Sequence, residues 1–176
     1  MTIEQLKDNI PDYAKDVRLN LASILTPEGA PDLTQNQIYG IALASAYAAK
    51  DKSIIDALLT ESVGKISGEE VQAAKAAASI MAMNNIYYRF LHLVSDKEYG
   101  KLPAKLRMNV IGAPGVPKVD FELYSTAISA LNGCGMCMDA HARELEKHGV
   151  SKLAVQSAVR IAAVINSVAQ SLHIAA

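Results

Sequence analysis

Apolar positions along this chain recur at helical spacing, and polar capping residues punctuate them. Thr2 with Gln5 forms a capping box, and Pro11 limits the short helix that follows. Tyr13, Val17, Leu21 and Leu25 repeat at i, i+4 and predict one face of a helix ending before Pro27. Residues 26–32, rich in Pro and Gly, read as a loop. Thr34 with Gln37 makes a second capping box, opening a helix to about Lys50, and Ser53 with Asp56 is expected to cap the next. Ser67 with Glu70 opens a long helix through about Phe90, with Val71, Ala74, Ala78 and Met81 on one stripe.

Residues 95–118 differ. Gly100, Pro103, Gly112, Pro114, Gly115 and Pro117 break the periodicity into short helices and turns. A helix is predicted from about Val119 to Leu131 and ends at the Asn132-Gly133 turn signal. The next starts near Cys134 and stops at Gly149, and Ser151 caps a last helix to about Leu172. Alternation at period two never persists, and the Ala-rich runs oppose strands. The expectation is an all-α helical bundle in a single domain, 1–176. A faint internal repeat relates about 34–90 to 119–172: Tyr39 aligns with Tyr124, Ala42 with Ala127, and Glu70-Val-Gln-Ala-Ala with Ala154-Val-Gln-Ser-Ala.

Composition narrows the function. Apolar residues make up 51% of the 176, aromatics only 5%, and there is no Trp, so the core must close through small residues on tightly packed helices. With 17 basic and 18 acidic residues, the chain has no field to draw in a nucleic acid. The longest uncharged stretches, 33–49 and 123–138, fall short of the ~18–20 apolar residues a membrane span needs. The N-terminus carries Glu4 where a signal peptide has basic residues, and no apolar run follows. A cytoplasmic protein with no membrane role is expected. Its only cysteines, Cys134 and Cys137, are too few and too close for a disulfide scaffold. In a reducing compartment they point to redox or metal chemistry.

The informative segment is Cys134-Gly-Met-Cys137-Met-Asp-Ala-His141. On a helix, offsets of three and seven put both thiols and the imidazole on one face. Two thiols three apart at a helix start can close a disulfide with modest backbone adjustment. The free N–H groups and positive dipole end there favour thiolate, and most strongly at the first cysteine. His141, one turn beyond Cys137, can take up a thiol proton directly or pass it through a water to a carboxylate. Thiolate, base and second thiol are the parts needed to reduce a peroxide: attack gives a sulfenic acid, and the neighbouring thiol condenses with it to a disulfide.

Two blander readings compete. The pair could be buried structural thiols, or, with His141 and His148, half of a zinc site; one straight helix is a poor zinc cage, and position 148 lies off the shared face. No metal and no tightly bound cofactor is expected. No Gly-rich phosphate loop occurs. His92, His148 and His173 have no partner at catalytic spacing, Arg89 reads as a structural ion-pair partner, and Met81 and Met83 as core.

The run from Asn109 to Tyr124 (NVIGAPGVPKVDFELY), followed by Ser129 to His141 (SALNGCGMCMDAH), closely resembles the alkyl hydroperoxidase D family of the carboxymuconolactone decarboxylase-like superfamily. The segments YAKDVRLNL from Tyr13 and MAMNNIYYR from Met81 are also similar to that family, so the likeness spans nearly the whole chain. The resemblance implies an all-helical homotrimer acting as a peroxidase on organic hydroperoxides. It also implies disulfide reduction of a peroxiredoxin-type alkyl hydroperoxide reductase. Electrons would come from the lipoyl group of a dihydrolipoamide acyltransferase. By motif it makes Cys137 the peroxidatic thiol, Cys134 the resolving thiol, and Glu122 with His141 the proton relay. Spacing alone does not single out Glu122, which otherwise reads as a helix-start acid. Some members carry His where this chain has Met136, which leaves His141 as the only imidazole in the motif. The competing functions are a decarboxylase of the same superfamily and a non-enzymatic helical module binding zinc or a partner.

Overall fold

The computed structural model describes residues 1–175, and every regular element among them is helical. The chain order is α1 (Ile3–Asp8), α2 (Lys15–Ile24), α3 (Gln35–Ala49), α4 (Lys52–Glu61), α5 (Gly68–Leu93), α6 (Asn109–Gly112), α7 (Lys118–Leu131), α8 (Gly135–Lys147) and α9 (Lys152–Ala175). Short 3₁₀ turns at Asp12–Ala14 and Lys97–Lys101 complete it. The core is built around α3 and α7, which pack on each other and on both long helices, α5 and α9.

Local chemistry explains most boundaries. Thr2, Thr34 and Ser67 each accept an N–H from the residue three further on, and Gln5, Gln37 and Glu70 each return a side-chain bond to the cap backbone. One expected cap is corrected. Asp51, not Ser53, caps α4: its carboxylate accepts from the Ile54 N–H at 3.0 Å, and Ser53 lies inside the helix. A charged acceptor gains from the dipole of the helix it caps, and Lys50, with φ 62°, turns the chain sharply enough to bring Asp51 to the cap. Tyr13 is a second correction. It lies in the 3₁₀ turn before α2 and is exposed, its hydroxyl donating to the Ser171 carbonyl at 3.3 Å, while Leu21 and Ile24 make the buried face.

Interior contacts are close because the residues are small. Nine consecutive positions of α3, from Ile38 to Ala46, are buried. Where α3 meets α7, Gly40 gives way to Tyr124: a Cβ at Gly40 would lie 2.2 Å from the Tyr124 Oη. Tyr124 is fully buried, and burial next to Asp120 and Glu70 pushes its phenol well above the usual range. Gly40→Ala is therefore expected to destabilise the fold by about 1–3 kcal/mol, measured by urea unfolding, because neither helix can retreat without losing core contacts. Gln37 Nε2 donates to Asp120 at 2.7 Å, tying the start of α7 to the start of α3. Burial raises the Asp120 carboxyl above the ordinary carboxylate range, and the bond from Gln37 opposes that rise.

By length and composition α9 is long and apolar enough to cross a membrane, although Arg160 interrupts its uncharged run. In the fold its stripe of Ala154, Ala158, Ile161, Ile165 and Val168 belongs to the core. Residues 97–116 form an irregular arm, largely exposed. Phe90 at the end of α5 stacks edge-on against Tyr99 in this arm, with ring centres 5.3 Å apart.

Candidate active site

The site is built at the α7–α8 junction, where no loop residue is spare. α7 ends in a Schellman arrangement: Gly133 N–H donates to the Ala130 carbonyl and Cys134 N–H to the Ser129 carbonyl, at 3.1 and 3.0 Å. Gly133 has φ 69°, a conformation that costs glycine nothing. Cys134, which closes this motif, is also the N-cap of α8, its Sγ accepting from the Cys137 N–H at 3.3 Å. One residue thus terminates one helix and starts the next.

Cys134 and Cys137 are joined as a disulfide with their Cα atoms 5.3 Å apart. Cys134 is fully buried and Cys137 is 6% exposed, so only the second sulfur's residue reaches solvent. Beside it, the Asn84 carbonyl oxygen of α5 lies 4.0 Å from the Cys137 Sγ. One turn on, His141 Nδ1 bonds to Glu122 Oε2 at 2.7 Å, and both side chains are nearly enclosed, at 12% and 6% exposure. Glu122 projects from α7 into the α7–α8 contact, and the tertiary fold alone pairs it with His141.

A polar network from α5 braces the junction. Asn85 Nδ2 donates to Ser129 Oγ at 2.9 Å, Asn132 Nδ2 to Asn85 Oδ1 at 2.9 Å, and Arg89 Nη1 to the Asn132 carbonyl at 2.7 Å. Arg89 therefore serves a carbonyl rather than the ion pair expected of it. No hydrogen-bond partner of the His92 ring is found among the described residues, but the fold brings the ring to this junction. The ring lies against Gly135, such that a Cβ there would stand 3.2 Å from His92 Cε1. The helical pitch of α5 carries His92 to this point from the same side as Asn84, eight residues earlier, a relation that spacing within the Cys motif could not reveal.

Among the described residues, no group of three or more His, Cys, Asp or Glu is arranged to hold a metal. His148, a candidate zinc ligand on sequence grounds, is exposed, with its Nδ1 donating to the Glu144 carbonyl at 2.8 Å. Glu144 also pairs with Lys118 and Lys147, whose hydrogen bonds and, to a lesser extent, charges hold its carboxyl down at about 2; the Lys118 pair links the start of α7 to α8.

The fold is thus a helical one carrying a cysteine pair on a helix cap, backed by a buried carboxylate–imidazole couple. The sequence pattern of the Carboxymuconolactone decarboxylase family matches residues 97–176. Alkyl hydroperoxide reductase AhpD of Coxiella burnetii (strain RSA 493 / Nine Mile phase I) is 54% identical over 168 residues, covering 96% of this chain and 95% of that protein. AhpD of Rhizorhabdus wittichii is 53% identical over 169 residues, covering 96% of each. AhpD of Brucella suis is 54% identical over 175 residues, covering 99% of this chain and 98% of that protein. The chain belongs to the alkyl hydroperoxide reductase AhpD family.

Proposed function

We propose that this chain is a thiol peroxidase that reduces alkyl hydroperoxides through the Cys134–Cys137 pair. The observation that carries the reading is the disulfide on the α8 cap, with the enclosed His141–Glu122 couple one turn away. In the reduced protein, His141 accepts the Cys137 proton, directly or through water, and Glu122 stabilises the resulting imidazolium. The Cys137 thiolate attacks the O–O bond. The alkoxide leaves with a proton as alcohol, and Cys137 becomes a sulfenic acid. Cys134 attacks that sulfur, water leaves, and the disulfide closes.

The two sulfurs take different roles in this scheme. Of the two buried cysteines, Cys137 is the less enclosed, which favours it as the residue that meets peroxide. The cap position of Cys134, with an N–H aimed at its sulfur, favours it as the leaving thiolate when a donor later attacks Cys137. We further assign reduction to a lipoyl dithiol on a dihydrolipoamide acyltransferase, and a peroxiredoxin-type alkyl hydroperoxide reductase as the partner whose disulfide this chain reduces. A cytoplasmic location and a homotrimer complete the proposal. In support of assembly, Ile86, Phe90 and Leu93 of α5 and Leu102 of the arm leave large apolar side chains in the open.

The test is mass spectrometry of the reduced protein after mild tert-butyl hydroperoxide treatment. The sulfurs should be found joined and the chain two hydrogens lighter. Stopped-flow reduction by free dihydrolipoamide, a lipoylated domain and thioredoxin should then be fastest with the lipoyl donors. Sulfurs that stay unlinked after peroxide would overturn the reading.

A further inference from the structure

We propose that His92 is a second imidazole of the redox site and carries protons for the reductive half of the cycle. This rests on the thiol-peroxidase reading above. Three observations lead to it. His92 is delivered by α5, the helix whose Asn84 carbonyl stands beside Cys137 Sγ, so α5 crosses the first turn of α8. The ring lies against Gly135, the residue directly after Cys134, at a separation that a glycine accommodates and that a Cβ would crowd to 3.2 Å from Cε1 and 3.4 Å from Nδ1. And His92 is exposed, whereas His141 is enclosed with Glu122.

The two imidazoles therefore face different partners. His141 serves the buried side, where a small peroxide meets Cys137. His92 is exposed and stands on the side from which a bulkier dithiol would approach.

One thiol of the donor gives its proton to neutral His92, and its sulfur attacks Cys137 Sγ. The disulfide bond breaks, its electron pair goes to Cys134 Sγ, and Cys134 takes the proton from the His92 imidazolium. The second donor thiol then gives its proton to His92, and its sulfur attacks the donor sulfur bound to Cys137. A donor disulfide leaves, and Cys137 departs as thiolate and takes that proton. The donor is oxidised, both cysteines are reduced, and His92 ends neutral.

The test separates the half-reactions in the full-length protein by stopped flow. For His92→Ala and His92→Gln, reduction of the disulfide by dihydrolipoamide or dithiothreitol is expected to slow about 100-fold, the low end of general acid–base assistance. Oxidation of the reduced protein by tert-butyl hydroperoxide should slow at least tenfold less than that. Free imidazole in the buffer should restore reduction in His92→Ala, an effect that a merely structural role would not produce. Unchanged reduction, equal slowing of both half-reactions, or no rescue by imidazole would each overturn the proposal. A wild-type protein inert to peroxide but reduced through His92 by dithiothreitol would instead reject the peroxidase reading and leave His92 in its role.

Discussion

Cys137→Ser is expected to reduce peroxide consumption with dihydrolipoamide to the uncatalysed background. The variant keeps the cap of α8, because Cys134 Sγ accepts from the backbone N–H of residue 137, not from its side chain. A serine hydroxyl is not ionised near neutral pH and does not attack the O–O bond at a useful rate, so the chemical step is lost while the fold remains. The partner variant assigns the order of attack. Cys134→Ser should consume one equivalent of peroxide per chain and stop, with Cys137 one oxygen heavier and trapped by a sulfenic-acid reagent. If Cys134 attacks first, the two variants exchange these behaviours. Full activity in Cys137→Ser would reject the peroxidase reading. Turnover of a lactone acid surviving loss of both cysteines would select the decarboxylase function instead.

Glu122→Gln carries the second large effect. The amide can still bond to His141 at the 2.7 Å position now held by Oε2, so packing is preserved while the negative charge that stabilises the imidazolium is removed. Peroxide oxidation of the reduced protein should slow by about 10²–10⁴-fold, the scale of general-base assistance. His141→Phe should slow it to a like extent. Since both groups act on one proton in series, the double variant should be no slower than the slower single one. Additive losses in stopped-flow oxidation would show that Glu122 and His141 act separately. Unfolding midpoints measured alongside would separate a lost relay from a lost fold.

How far the sequence could be read depended on the range of each interaction. The capping boxes at Thr2, Thr34 and Ser67 were legible because both partners lie within one turn. The Schellman glycine at 133 was legible for the same reason. The α4 cap was misplaced because Asp51 and Ser53 are both good caps, and the positive φ of Lys50, which decides between them, has no mark in the sequence. Tyr13 fits a helical stripe by spacing, but Pro11 and the 3₁₀ turn set it outside that helix. The thiols and His141 share a helix, so their common face could be derived from spacing. Glu122 comes from α7 and His92 from α5, and only tertiary packing brings them to the site. The family resemblance pointed to the first of these and not to the second. Arg89 looked like half of an ion pair because charge is visible in a sequence, whereas the free carbonyl of Asn132 that it serves is not.

The double use of Cys134 has a consequence for anyone wishing to move this chemistry elsewhere. Copying the Cys-to-His octapeptide onto a host helix would transfer the reactive groups and leave their setting behind. The portable module is the whole stretch from Glu122 to His141, together with a helix supplying Asn85 and Arg89 as buttresses. A graft with even one extra residue at the α7–α8 junction would aim its sulfurs in the wrong direction.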